Sequence, residues 1–115
     1  QTGKWETDEA RKIVASLLPG HANVKAILCA NDSMAVGAAA ALRSMDRSDV
    51  LVVGFDNIKA VQDLIRQDRV LCTIDQHGDQ IAVFGIQHAL EILAKKAPAS
   101  DKGTAVDLVT KANLK

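Results

Sequence analysis

The sequence has no excess of charge, few aromatic residues and no long apolar run. Its 115 residues carry 14 Lys and Arg against 14 Asp and Glu, so the formal net charge is zero. A nucleic-acid-binding surface normally shows as a basic excess, so this balance argues against a nucleic-acid partner. No apolar run approaches the roughly 18–20 residues that a membrane-spanning helix requires. The length allows one small domain or a piece of a larger one.

Residues and motifs that carry catalysis are also scarce. Two cysteines are too few for a small domain held together by disulfides. The chain has no nucleophile elbow, phosphate-binding loop, zinc-protease motif or dinucleotide fingerprint. Its cysteines and histidines do not have the spacing of metal ligands. We therefore expect no enzyme activity, no metal site and no cofactor.

What the chain does have is an alternation of apolar runs and amphipathic stretches. The runs at residues 24–30, 50–55 and 70–74 suit strands that are buried on both faces of a parallel sheet. Strands alternating with helices through short connections indicate an α/β fold with right-handed β-α-β units and a mostly parallel sheet. The pattern predicts four helices and a last, more exposed strand, at residues 7–18, 34–45, 58–66, 81–96 and 104–110.

The chain begins at Gln1, without an initiator Met, and soon enters a helical pattern. No signal-like or transit-like segment precedes that pattern. We expect the chain to be a fragment whose N-terminal part is missing. The absence of a signal peptide therefore gives no information about the compartment.

Polar residues follow each of the three apolar strands. Asn31, Asp56 and Gln76 come at or just after the strand ends, and open parallel sheets bind ligands beyond the carboxyl ends of their strands. Each of these residues could instead cap the helix that follows, but three together favour a ligand site. Amides and carboxylates match the vicinal hydroxyls of a sugar. Trp5 offers an apolar face that can stack on the sugar ring, or it anchors a core or an interface.

The cysteines fall on strands that we expect to be separated. Cys29 lies in the first strand and Cys72 in the third, with the strand at residues 50–55 between them. Strands on either side of a third are roughly 9–10 Å apart, whereas a disulfide needs Cα atoms within about 7 Å. We predict two reduced, buried thiols; the alternative is a disulfide of the kind common in exported proteins.

Three motifs resemble segments of the type I periplasmic sugar-binding proteins. Residues 30–38 (ANDSMAVGA) resemble the family's N-D-x-M-A-x-G-A segment, and residues 49–56 (DVLVVGFD) resemble its V-x-V-V-G-F-D strand. Residues 73–81 (TIDQHGDQI) resemble the T-I-x-Q-x-x-x-Q-I stretch of ribose-binding members. The motifs occur in order, and the resemblance runs over essentially the whole chain.

This resemblance implies an incomplete, Rossmann-like parallel-sheet lobe from the C-terminal half of a two-lobed protein. Residues 1–74 would form the latter part of the C-terminal lobe, and residues 75–78 a hinge crossing in which Gly78 tolerates backbone changes. Residues 79–103 would be a helix belonging to the N-terminal lobe. Residues 104–115 would form the return crossing and the C-terminal tail.

The implied function is binding of a monosaccharide, with a ribose-like pentose favoured, between the two lobes. The family pattern places sugar contacts at Trp5, Asn31, Asp56 and Gln76. The implied partners are the N-terminal half of the same protein and the membrane permease of an ABC transporter. The expected location is the periplasm, or the space outside the cytoplasmic membrane of a Gram-positive organism, where the protein would be a lipoprotein.

An alternative is the effector-binding domain of a LacI-type repressor, because the same lobes occur there. The similarity of residues 73–81 to the ribose-binding members favours the transport protein. Two departures from the family pattern, at residues 57–59 and 77–78, leave the exact sugar open.

Overall fold

The computed structural model describes residues 2–96, 98 and 100–114. Residues 1, 97, 99 and 115, which fall within the predicted ranges 1–74, 79–103 and 104–115, lie outside the described residues.

The elements follow the predicted alternation of helix and strand. Each strand is shorter than its apolar run, because the ends of the runs lie in the connections. These ends still make single backbone hydrogen bonds to the neighbouring strand, as the Cys29 N–H does to Val53 O at 2.9 Å. A 3-10 turn at Leu18–Gly20 extends the first helix. The helices and strands are α1 (Thr7–Leu17), β1 (Ala26–Leu28), α2 (Asp32–Ser44), β2 (Leu51–Val53), α3 (Lys59–Arg66), β3 (Cys72–Asp75), α4 (Gly78–Leu93) and β4 (Asp107–Thr110).

The four strands form one sheet in the order β1-β2-β3-β4. The first three strands are parallel, and β4 returns antiparallel to β3 with Asp75 opposite Asp107. The prediction of a mostly parallel α/β sheet is confirmed. The three parallel strands therefore end at the same edge, which brings the residues that follow them together.

The core lies on one face of the sheet, under α1, α2 and α3. Val52 of β2 is 1% exposed and belongs to a core cluster with buried side chains of α2 and α3, against which the partly buried Val14 of α1 packs. Leu51, on the opposite face, is 50% exposed. Leu28 of β1 is 79% exposed. The prediction of strands buried on both faces is therefore wrong for the described residues, because these supply helices to only one face.

Helix α4 extends away from this core. None of its residues is buried, and its large apolar side chains Ile81, Ile86, Leu90 and Leu93 are exposed in the described part of the chain. The radius of gyration is 17.6 Å, whereas a compact domain of this length has about 13 Å. None of the described helices is long and apolar enough to cross a membrane.

The two cysteines are free, as predicted. Strand β2 separates the strand that contains Cys72 from β1, after which Cys29 lies. Cys72 is buried, but Cys29 is only half-buried, so the prediction of two buried thiols is wrong for Cys29. Cys29 lines an open groove beside Trp5 at the end of β1.

We expect denatured, unreduced protein to show both of these thiols as free in a chromogenic thiol assay, and a count of zero for them would contradict the strand order.

Burial, with a smaller effect of the Asp32 charge, raises the pKa of Cys29 from 9.0 to about 11. In the folded protein this thiol should therefore react slowly at pH 8. Because the pKa is raised on folding, the stability linked to this thiol is fully present below pH 9 and is lost as pH rises through about 11.

Candidate functional site

Asp56 and Gln76, predicted from two different strand ends, lie in direct contact. The Gln76 Nε2 donates a hydrogen bond to Asp56 Oδ1 at 2.7 Å. The Asp56 backbone N–H donates to Ile74 O at 2.8 Å, which ties the end of β2 to β3. Both side chains are half-buried. The second carboxylate oxygen of Asp56 has no hydrogen-bond partner among residues 2–96, 98 and 100–114, so it is available to a ligand.

The Asp56 backbone adopts a conformation that residues with a side chain rarely take. Its φ is 120°, and that of Asn57 is 59°, so two consecutive non-glycine residues have positive φ. The Asn57 carbonyl and Oδ1 accept hydrogen bonds from Gln62 Nε2 at 3.2 and 3.0 Å. Such a turn persists only where neighbouring contacts hold it, and turns of this kind cluster at functional sites.

Asn31 is both a helix cap and a link to Trp5. Its Oδ1 accepts from the Met34 N–H at 2.9 Å and so caps α2, and its Nδ2 donates to Trp5 O at 3.2 Å. The capping alternative is therefore realised at this position. An amide can make further hydrogen bonds beyond these two, since each of its two polar atoms can make two.

Trp5 lies at an exposed loop edge and not in the core. Trp5 is 63% exposed, and its backbone φ is 65°. It lines a groove of about 390 Å³ with Cys29, Ala30 and Met34. Among the described residues, the hydrogen bond from Asn31 to the Trp5 carbonyl is the one hydrogen bond that joins Trp5 to another predicted site residue.

Asp32, the first residue of α2, was not among the predicted site residues. Its side chain is fully buried, at 0% exposed. Oδ1 accepts from Thr73 Oγ1 at 2.7 Å and Oδ2 from the Ile58 N–H at 2.9 Å, while its own N–H donates to Phe55 O at 2.8 Å. Burial raises the pKa of this carboxyl, against the lowering effect of those hydrogen bonds.

The sequence did carry a signal for Asp32. A Cβ on Gly54 would lie 2.0 Å from Asp32 Oδ1, so this glycine leaves room for the carboxylate. A glycine at the end of a strand often marks such a close approach. Read together with the strand-end Asp32, Gly54 indicates a polar group packed against the backbone.

A second polar cluster surrounds the connection between β3 and α4. Asp75 accepts from the His77 N–H at 2.8 Å and from Asn57 Nδ2 at 2.9 Å, and these two bonds lower its pKa. The His77 ring lies 2.8 Å from Asp107 Oδ2 and so links the connection to β4. The left-handed residue of this connection is His77, with φ of 54°, whereas Gly78 begins α4 without a positive φ.

An open polar cavity of about 450 Å³ adjoins this cluster and is lined by Asn57, Asp75 and Asp107 among others, but not by Asp56 or Gln76. Within the described part of the chain, no group of three or more His, Cys, Asp or Glu side chains is placed to hold a metal ion.

Comparison with known proteins decides the family. A model of the periplasmic binding protein domain matches residues 1–97. The chain belongs to this family. It is 44% identical to a D-ribose/D-allose-binding protein of Pseudomonas aeruginosa over 96% of its own length and 36% of that protein. It is 33% identical to the ribose import binding protein RbsB of Escherichia coli over 81% of its own length and 31% of that protein.

Solved structures give the same assignment. The chain matches an ABC transporter periplasmic solute-binding protein from Actinobacillus succinogenes, with bound D-allose, at a TM-score of 0.90 and 31% identity. That match covers 97% of this chain and 40% of the other. A solute-binding protein from Burkholderia multivorans matches at a TM-score of 0.88 and 43% identity, over 96% of this chain and 40% of the other.

These matches confirm that the chain resembles the type I periplasmic sugar-binding proteins. They also confirm the predicted α/β fold class. The prediction that it is not an enzyme agrees with these relatives, whose names are those of sugar-binding, ribose import binding or solute-binding proteins and not of enzymes. The family acts in the periplasm or an equivalent space outside the cytoplasmic membrane, as predicted. The chain spans about a third of the length of its curated relatives.

Proposed function

We propose that this chain is the C-terminal part of a longer protein that binds a monosaccharide between two lobes and delivers it to the membrane permease of an ABC transporter. A ribose-like pentose is the proposed ligand, since relatives are named for the pentoses D-ribose and D-apiose; one of them is named for the hexose D-allose as well. The observation that carries the proposal is the pairing of Asp56 with Gln76 at the edge where the parallel strands end.

The geometry of this edge suits sugar hydroxyls. The unpaired Asp56 oxygen is a strong acceptor, and Gln76 retains an acceptor oxygen and a second N–H. A hydroxyl both donates and accepts, so it can bridge such groups. Asn31 would add a further amide contact, and the exposed Trp5 ring would pack on the apolar face of the sugar.

The division of the chain between two lobes is also part of the proposal. Residues 1–74 belong to the C-terminal lobe, and residues 75–78 cross the hinge. The unburied helix α4 supports placing residues 79–103 on the N-terminal lobe, which would cover its exposed apolar side chains. The antiparallel return of β4 alongside β3 supports a return crossing within residues 104–115.

No structural observation favours the repressor alternative. The relatives named above are sugar-binding or import proteins, and the zero net charge gives no indication of a nucleic-acid partner.

The proposal is tested by calorimetric titration of the full-length protein with D-ribose, D-allose and D-apiose. We expect saturable binding of one sugar per protein for at least one of the three. A disaccharide such as maltose, which exceeds a monosaccharide-sized cleft, serves as the control and should give no saturable heat. Absence of binding to all three monosaccharides would contradict the proposed ligand class.

A further inference from the structure

The turn that carries Asp56 is held on both sides by the buried residue Asp32. Before Asp56, the Phe55 carbonyl accepts a hydrogen bond from the Asp32 N–H at 2.8 Å. After it, the Ile58 N–H donates to Asp32 Oδ2 at 2.9 Å. A single residue at the start of α2 therefore fixes the backbone that enters and leaves the turn.

Thr73 of β3 adds two more hydrogen bonds to this network. Its hydroxyl donates to Asp32 Oδ1 at 2.7 Å and accepts from the Asn57 N–H at 3.3 Å. Like Asp32, it is 0% exposed. Thr73 lies on β3, the strand that leads to Gln76. Its hydroxyl therefore links this strand and the turn that carries Asp56 to one buried carboxylate, that of Asp32.

This arrangement explains how Asp56 keeps an unfavourable backbone conformation. A φ of 120° at a residue with a side chain is retained only where the surroundings over-determine it. The four hydrogen bonds around Asp32 and Thr73 supply that constraint, and three of them involve residues next to or one removed from Asp56. A preorganised contact residue costs less conformational entropy on binding.

We propose that Asp32 and Thr73 are positioning residues that set the affinity of the site by holding Asp56 toward the sugar, without touching the sugar themselves. This inference rests on the proposed function, because it assigns these two residues to the same sugar site. It differs from a role in stability alone, since the constraint acts on the conformation of one ligand-binding residue.

The test uses three variants of the full-length protein. Thr73→Val keeps the volume but removes the hydroxyl, and Thr73→Ser keeps the hydroxyl. Val61→Ala opens a cavity in the core at a fully buried side chain that takes no part in the hydrogen bonds above. Sugar affinity is measured by calorimetry and the melting temperature by circular dichroism.

We expect Thr73→Val to weaken sugar binding by about 10-fold or more, because Asp32 Oδ1 and the Asn57 N–H both lose their partner. Thr73→Ser should restore most of the affinity. Val61→Ala should lower the melting temperature with little change in affinity. An affinity loss in Thr73→Val no larger than that in Val61→Ala would overturn the inference.

A measurement without sugar separates this inference from the proposed function. Amide hydrogen exchange at Asn57 and Ile58 should accelerate in Thr73→Val more than in Val61→Ala, when both are compared at equal global stability. If the wild-type protein binds none of the sugars, the proposed function fails. If exchange at both amides is unchanged in Thr73→Val, the positioning role fails independently.

Discussion

Replacing Asp56 with alanine is expected to weaken monosaccharide binding by the full-length protein by roughly 10- to 100-fold. Removing one partner of a buried hydrogen bond costs about 1–3 kcal/mol, because the remaining group is left unpaired. Here the loss has two parts: the sugar hydroxyl loses the free carboxylate oxygen, and Gln76 Nε2 loses the acceptor that lies 2.7 Å away. Calorimetric titration of the variant with the sugar that the wild type binds measures the effect.

Asp8→Ala is the matched control, because it removes the same side chain from an exposed position in the first turn of α1. Its affinity should equal that of the wild type. An unchanged affinity in Asp56→Ala, with the control also unchanged, would exclude Asp56 from the site. Equal losses in both variants would show that the effect has nothing to do with this site.

A second large effect is expected at the contact between α1 and α2. A Cβ at Gly37 would lie 2.1 Å from the Thr7 carbonyl oxygen and 3.0 Å from the Arg11 backbone nitrogen. Both atoms belong to the backbone of α1, which cannot move aside as a flexible side chain would. The Thr7 hydroxyl also donates to Ser33 O at 2.9 Å and fixes the helices together. We expect Gly37→Ala to lower the free energy of unfolding by about 3 kcal/mol.

Urea denaturation followed by circular dichroism measures this loss, and Gly20→Ala provides the control. A Cβ at Gly20 would meet nothing within 4 Å, and its φ is not positive. The control should unfold at nearly the wild-type midpoint. If Gly37→Ala were as stable as the control, that result would contradict the close packing of α1 against α2 at Gly37.

The order of the elements could be predicted from the sequence because each depends on local periodicity. The apolar run ending at Ala30 and the one ending at Phe55 are short, mostly apolar throughout and followed by polar residues, which is typical of parallel strands. The separation of Cys29 from Cys72 followed from that order. The convergence of Asp56 and Gln76 followed in turn, since parallel strands end at one edge.

Other features depend on contacts between distant parts of the chain and could not be read from local patterns. The exposed Leu28 and Leu51 look like core residues in the sequence, because periodicity does not show whether a second layer is present. Trp5 and Asn31 are joined through a backbone carbonyl, which no side-chain pattern reveals. The role of Asp32 depends on Thr73, 41 positions away in the sequence.

A crystal structure of the full-length protein with D-ribose, or with whichever of the three sugars binds, tests the central claim most directly. The account predicts the sugar between two lobes, with hydroxyl oxygens within hydrogen-bond distance of Asp56, Asn31 and Gln76 and with the Trp5 ring against an apolar face of the sugar. A sugar bound elsewhere, or bound in the cleft without contact to Asp56 and Gln76, would contradict it.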